Sequence, residues 1–233
     1  MRKLIYAPII HADSDMGSLA PDVEKWASEV VGGTNWRKHK RAVGLYWWQL
    51  AGYWDKKKVD GVKIFQDGMA ASGPVGKKIV KELAEKGSVN YQIIERLLGK
   101  GAELVKTEDP ALLKEEYFLT KELLKKKSFL GGLLATLRYK WRKDKLLTQR
   151  DAYIAKAINE NLQEGEIGIC FLGAYHQVRP WLASDILVVP LKNLDKIKEY
   201  YQKFITQKWE GKVNDLSRYL TAPIGVLLGK KYD

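Results

Sequence analysis

"RDAYIAKAINENLQEGEIGICFLGAYHQV", residues 150–178, changes its character once, at Gly165. Up to that glycine the stretch reads as a helix, and the glycine ends it. From Ile167 it is a short unbroken apolar run followed by a loop that carries His176, the pattern of a buried strand. A helix feeding directly into a buried strand is the repeating unit of an α/β protein.

The same alternation extends outward in both directions. Residues 3–10, 61–69 and 101–110 and "SDILVVPL" (184–191) read as further short strands bounded by turns. Helical patterns occupy 21–31, 35–57, 74–86 and 88–99, and another runs from Pro110 through "ALLKEEYFLTKELLKKK". Asp109 is placed to cap that last helix, with Pro110 at its first position. Thr148 or Gln149 is read as the start of the helix at 150–165, and the tail from 193 as helical. Strands separated by helices predict an α/β fold with a mixed, partly parallel sheet flanked by helices. We read 1–233 as a single α/β domain, with a basic helical insertion at 111–147 in the middle of the chain.

Composition narrows the class. With 45% hydrophobic residues the chain has enough apolar side chain for a sizeable core. No apolar stretch approaches the roughly 20 residues that span a bilayer, and no transmembrane segment is expected. The start "MRKLIYAPIIHADSD" meets His and Asp too early for a signal peptide. One cysteine, Cys170, excludes an intramolecular disulfide framework. Cytoplasmic localisation is the expectation. The formal net charge is +12, concentrated in "WRKHKR" (36–41), "DKKK" (55–58), "KKK" (125–127) and "RYKWRKDK" (138–145). Such segments are either a solvated Lys-rich surface or a patch for phosphate backbones or anionic lipid.

In α/β sheets, ligands collect outside the carboxyl ends of the strands. Those ends carry His11 with Asp13 and Asp15, then Gln66 with Asp67, then Thr107 with Glu108 and Asp109, and finally His176. His11, Asp13 and Asp15 alternate, so an extended chain would point them to one side. Imidazole and carboxylate together suit Zn, Mn, Fe or Co. They equally suit a turn in which an aspartate caps the backbone. His176 repeats the plan of His11, with Gly173 before it to permit a sharp turn or a close approach. The third histidine, His39, sits among Lys and Arg and is expected to be solvated. Asp67 and Glu108 are candidate acid, base or ligand groups, although each lies in a turn. Glu108 is favoured over Asp109, whose side chain the cap would occupy. Asp151 fits a first helical turn by its interaction with the helix dipole. By the same reasoning Arg150 is misplaced there, which suggests a role in steadying a carboxylate or a developing negative charge.

Arg150-Asp151, "AYIAKAI", the strand "IGICFL" and "GAYH" together resemble the C-terminal signature of the TraB/PrgY–Tiki superfamily: an Arg on a helix, an apolar strand and a Gly-x-x-His. Its other Gly-x-x-His follows the first strand, where "PIIH" falls here with Pro8 in the glycine position. The resemblance implies an α/β fold in which two histidines, an Arg and a Glu converge, and some members resemble metal-dependent peptidases. Carried onto this sequence it marks Gly173, His176, Arg150 and His11.

The leading expectation is therefore a metal-dependent hydrolase acting on a peptide, amide or ester bond. His11, His176, Asp13 and Asp15 are its candidate metal ligands, and Arg150, Glu108 and Asp67 its catalytic groups. Its partners would be a divalent metal (Mn, Zn or Co) and a peptide or other small substrate, with no organic cofactor indicated. The alternative is a non-catalytic protein that binds nucleic acid or an anionic surface through its basic Trp/Lys/Arg segments. The aromatic-rich stretch 43–54 is expected to be largely core.

Overall fold

The structure, a computed structural model, describes residues 1–11, 20–125, 132–206 and 211–224. Asp13 and Asp15 lie outside the described residues, as do parts of the basic segments.

Five strands and eight helices follow one another in the described residues. They are β1 (Arg2–Ile9), α1 (Ala20–Val31), α2 (Gly33–Asp55), β2 (Lys63–Gln66), α3 (Gly73–Glu85), α4 (Val89–Gly99), β3 (Glu103–Val105), α5 (Pro110–Lys125), α6 (Gly132–Asn161), β4 (Ile167–Gly173), β5 (Ile186–Pro190), α7 (Leu194–Ile205) and α8 (Lys212–Thr221). A short 3-10 turn at Arg179–Trp181 separates β4 from β5. The sheet order is β3-β2-β4-β1-β5, and every described pairing is parallel. The fold is thus α/β as expected, with its sheet parallel throughout rather than mixed. Every connection is long enough to cross the sheet, including the loop over β1 that joins β4 to β5. All five carboxyl ends consequently emerge along one edge.

Both faces of the sheet are covered, which is why its strands read as continuous apolar runs. Along β4 the side chains alternate. Ile169 and Phe171 join one core with α2, α4, α7 and α8, whereas Cys170 and Leu172 join a second beneath α6. Trp36, Trp47 and Trp54 of α2 all point into the larger core, so its aromatic richness is mostly packing.

Pro8 sits in β1 without disturbing the ladder. The Arg2 amide donates toward β5 and the Lys3 amide toward β4, so even-numbered amides of β1 face β5. The last β1–β5 pair is Tyr6 with Pro190, so the missing N–H of Pro8 points past the end of β5.

Two local expectations fail. α6 is one continuous helix from Gly132 to Asn161 and does not begin at Thr148 or Gln149. Nothing in 133–149 breaks a helix, and the Thr148 hydroxyl simply bonds back to the Asp144 carbonyl, 2.9 Å away. His39, expected in solvent, is 4% exposed. α2 turns it inward, where its Nδ1 lies 2.9 Å from the Tyr200 hydroxyl and its ring stacks on Phe204. Burial lowers its pKa to about 4, so it is a neutral core residue.

Candidate functional site

α6 explains why Arg150 is where it is. Leu146, Arg150, Ile154, Ile158 and Leu162 recur every fourth residue and are all buried, so the arginine occupies the core-facing stripe of the helix. It lies mid-helix, and the conflict with an N-terminal dipole disappears. Just beyond the apolar cover of β2 and β4, the stripe delivers a guanidinium to the carboxyl ends of the strands. Asp151 follows on the same side.

Two turns bring the carboxylates to it. β2 closes in a tight turn in which Gly68 has φ +77°, a conformation that favours glycine. The Met69 carbonyl of that turn accepts the amides of Thr107 at 2.9 Å and Glu108 at 3.1 Å. The Thr107 hydroxyl also donates to the Gln66 carbonyl. The β2 and β3 ends are thereby clamped together, with Asp67 and Glu108 side by side.

Arg150 Nη2 donates to Asp67 Oδ1 and to Glu108 Oε1, each at 2.5 Å, while Nε reaches Glu108 Oε2 at 3.3 Å. Nη1 donates to Glu116 Oε2 of α5 at 2.6 Å. The Arg150 side chain is 4% exposed, Glu108 0%, Asp67 12% and Glu116 45%. One cation thus serves three carboxylates at two depths, with Glu116 at the water's edge.

His176 continues the network. Its Nδ1 lies 2.5 Å from Asp151 Oδ1, and its Nε2 lies 3.1 Å from Asp67 Oδ2. Asp151 Oδ2 also accepts the Gln177 amide at 2.8 Å, which fixes the loop after β4 to α6. Gly173 needs no special backbone conformation here. Its amide donates to Asp67 at 3.3 Å, and a Cβ added there would touch the His176 ring and Asp67 at 3.5 and 3.6 Å. The absent side chain leaves the approach to those two groups open.

The charges set each other. Burial opposes ionisation of Asp67, yet His176 and Arg150, with His11 behind them, hold its carboxyl far below the usual carboxylate range. Burial tends to neutralise His176, but Asp67 and Asp151 outweigh it and raise the imidazolium pKa to about 10. With a carboxylate on each nitrogen, the ring donates from both sides. For Glu108, burial wins over the pull of Arg150 and lifts the carboxyl to about 7.

Of the expected site residues, Asp67, Glu108, Arg150 and His176 therefore meet in one hydrogen-bonded cluster. His11 is exposed just past β1, close enough to influence Asp67. α2 braces its approach, because Tyr46 donates to the Pro8 carbonyl and Trp47 Nε1 to the Ile10 carbonyl at 2.8 Å. Asp109 caps α5 through the Ala111 amide at 2.8 Å and stays out of the cluster. Sequence reasoning missed Asp151 and Glu116. The signal for Asp151 was its place beside a core-facing stripe; Glu116 had none, since an exposed helical Glu is ordinary.

The metal expectation can be tested on the donors themselves. Their chemistry suits a divalent cation, and a carboxylate behind one His nitrogen is the usual support of a metal-binding imidazole. Among the described residues, however, no three His, Cys, Asp or Glu groups are placed to hold an ion. His176 Nε2 and Asp67 instead bond to each other.

The fold and site define a parallel α/β protein with a buried Arg–carboxylate–His cluster at the strand carboxyl ends. Compared with known proteins, the chain matches no family model, no curated protein and no solved structure.

Proposed function

We propose that the Arg150–Asp67–Glu108–His176 cluster is a hydrolytic active site acting on a peptide, amide or ester bond. The observation that carries this reading is a buried acid–base set assembled from four different elements at the ligand-binding edge of a parallel sheet. A carboxyl lifted to about 7 by burial, in the same cluster as an imidazolium, supports that reading.

The roles follow from the charges. Glu108, ionised or protonated near neutral pH, takes a proton from attacking water and returns it to the leaving group. Arg150 keeps Glu108 and Asp67 in position and offers positive charge to the oxygen that becomes negative. Asp151 fixes the His176 ring, and His176 supplies a proton or a positive charge from Nε2. Asp67 couples the two cations.

A divalent metal (Mn, Zn or Co) is a separate part of the proposal, with His11, His176, Asp13 and Asp15 as its candidate ligands; His176 would serve only once its Nε2 has left Asp67. When bound it would supply a more acidic water and polarise the carbonyl. Binding requires the Nε2 proton to leave, so metal uptake should strengthen with rising pH. Kinship with the TraB/PrgY–Tiki superfamily is part of the same proposal, supported by Arg150 and His176 sharing Asp67 as a partner.

The test is turnover of a panel of chromogenic esters, aryl amides and fluorogenic peptides, with and without added Mn, Zn or Co, run beside metal analysis. Activity in the parent that falls at least about a hundredfold in Glu108→Gln and His176→Gln is expected. Metal content that is equally low in the parent and in His176→Ala after reconstitution would remove the metal from the account. Absence of hydrolysis across the panel under all conditions would remove the enzyme.

A further inference from the structure

The outward face of α2 is unlike the rest of the surface. Arg37, Lys38, Arg41, Leu45 and Trp48 are exposed and fall within one third of the helix circumference, opposite the buried tryptophans. Trp48 is 69% exposed and Leu45 43%. Gly44 and Gly52 lie one turn to either side of Trp48, and nothing comes within 4 Å of a Cβ built on either. The indole and Leu45 therefore stand proud of a bare helical ridge.

Cations flank this apolar spot at both ends. Arg37, Lys38 and Arg41 precede it, and the exposed Lys56, Lys57 and Lys58 follow it. None of the six forms an ion pair among the described residues, and the acid on this face, Asp55, lies 3.7 Å from Arg96. A net charge of +12 reinforces the field.

We propose that this face of α2 docks the protein on an anionic lipid membrane, with α2 lying along the surface and Trp48 and Leu45 entering the headgroup layer. The arrangement is that of an interfacial helix: an aromatic and an aliphatic side chain side by side, rimmed by Lys and Arg. A second copy fits less well, because an α2–α2 contact would set six cations against six. A nucleic acid also fits less well, since stacking sites lie in grooves and Trp48 stands on a convex ridge. Other Trp-bearing basic segments do not share the pattern; Trp141 is 65% exposed, but Lys145 lies over its ring. The inference does not depend on the hydrolytic reading.

The test is co-sedimentation of the full chain with vesicles of phosphatidylcholine alone, or with 30% phosphatidylglycerol, at about 50 mM and about 300 mM salt. Binding is expected to the anionic vesicles only, and to weaken at the higher salt. Each cation removed should cost about fivefold in partitioning, so Arg37→Gln/Lys38→Gln/Arg41→Gln together should cost about a hundredfold. Trp48→Ser should weaken binding at least about tenfold, with unchanged circular dichroism because the side chain is exposed. Trp141→Ser serves as the control and should bind like the parent. Failure of the parent to bind anionic vesicles at low salt would overturn the proposal, as would undiminished binding by the α2 variants. Trp48-dependent binding of a labelled single-stranded oligonucleotide, or Trp48-dependent dimerisation in sedimentation, without vesicle binding, would assign the face to another partner.

Discussion

Replacing Arg150 with methionine removes the single cation on which Asp67, Glu108 and Glu116 converge, while keeping much of the side chain's bulk. The cost can be worked carboxylate by carboxylate. Glu116 is 45% exposed, keeps its water and contributes no more than about 0.5 kcal/mol. Glu108 is 0% exposed and is left without its cation, whereas Asp67, 12% exposed, keeps His176 at 3.1 Å, so the loss of Arg150 strands one charge in the interior. Breaking a buried ion pair from one side costs about 3–5 kcal/mol. The loss should depend on pH in a defined direction. In the parent, Glu108 titrates at about 7, above its unfolded value, so stability from this group is present at low pH and falls as pH rises toward 7. Without Arg150, the pull that lowers Glu108 is gone, and its decline extends to higher pH. Urea denaturation of parent and Arg150→Met at pH 5.5, 7 and 8.5 should therefore give a stability gap that widens with pH, by at most about 1.4 kcal/mol per pH unit for one proton. Adding Glu108→Gln to Arg150→Met should recover a large part of the deficit, because a neutral amide needs no counter-charge. A gap below about 1 kcal/mol at pH 8.5, or one that does not change with pH, would refute the buried network.

Other outcomes follow from the same geometry. In an NMR titration, His39 should change protonation near pH 4 and His176 near pH 10, and Asp151→Asn should bring His176 down. The His176 contribution to stability should be complete below about pH 6.5 and disappear as pH rises through its folded value, so alkaline conditions should destabilise the fold. Cys170 is 0% exposed and burial raises its thiol pKa, so a thiol reagent should label it only at the rate of unfolding. Trp47→Phe leaves the Ile10 carbonyl without its donor and should cost about 1–3 kcal/mol. In that variant the His11 NMR signals should shift while those of His176 stay put; movement of neither, or of both equally, would argue against α2 as the brace for His11.

Much of the architecture was legible because short apolar runs and glycine-ended helices alternate clearly, and parallel connections need that alternation. The polar residues at the strand ends were legible for the same reason, through the rule that ligands gather there. What could not be read was which of them meet. Asp109 and Glu108 are neighbours in sequence, yet one caps a helix and the other is buried, and only the clamp on the Met69 carbonyl decides between them. The α6 start was misjudged because Thr148 is a good cap residue, and a helix that runs through it leaves no mark at that position. With the start misplaced, Asp151 looked like a helix-end acid instead of the carboxylate that orients His176. His39 was misjudged because its neighbours in sequence are all cations. Helical periodicity alone turns it inward, and it is the partner helix that supplies Tyr200 and Phe204.

The central claim is that Glu108 and His176 work in one hydrolytic site. The most direct measurement is the pH–rate profile of ester or amide hydrolysis by the parent, Glu108→Gln and His176→Gln, all confirmed folded. The account predicts that the parent turns over with a limb near pH 7 from Glu108, and that each variant loses at least about a hundredfold in rate. Parent and variants with the same rate and the same profile would contradict it.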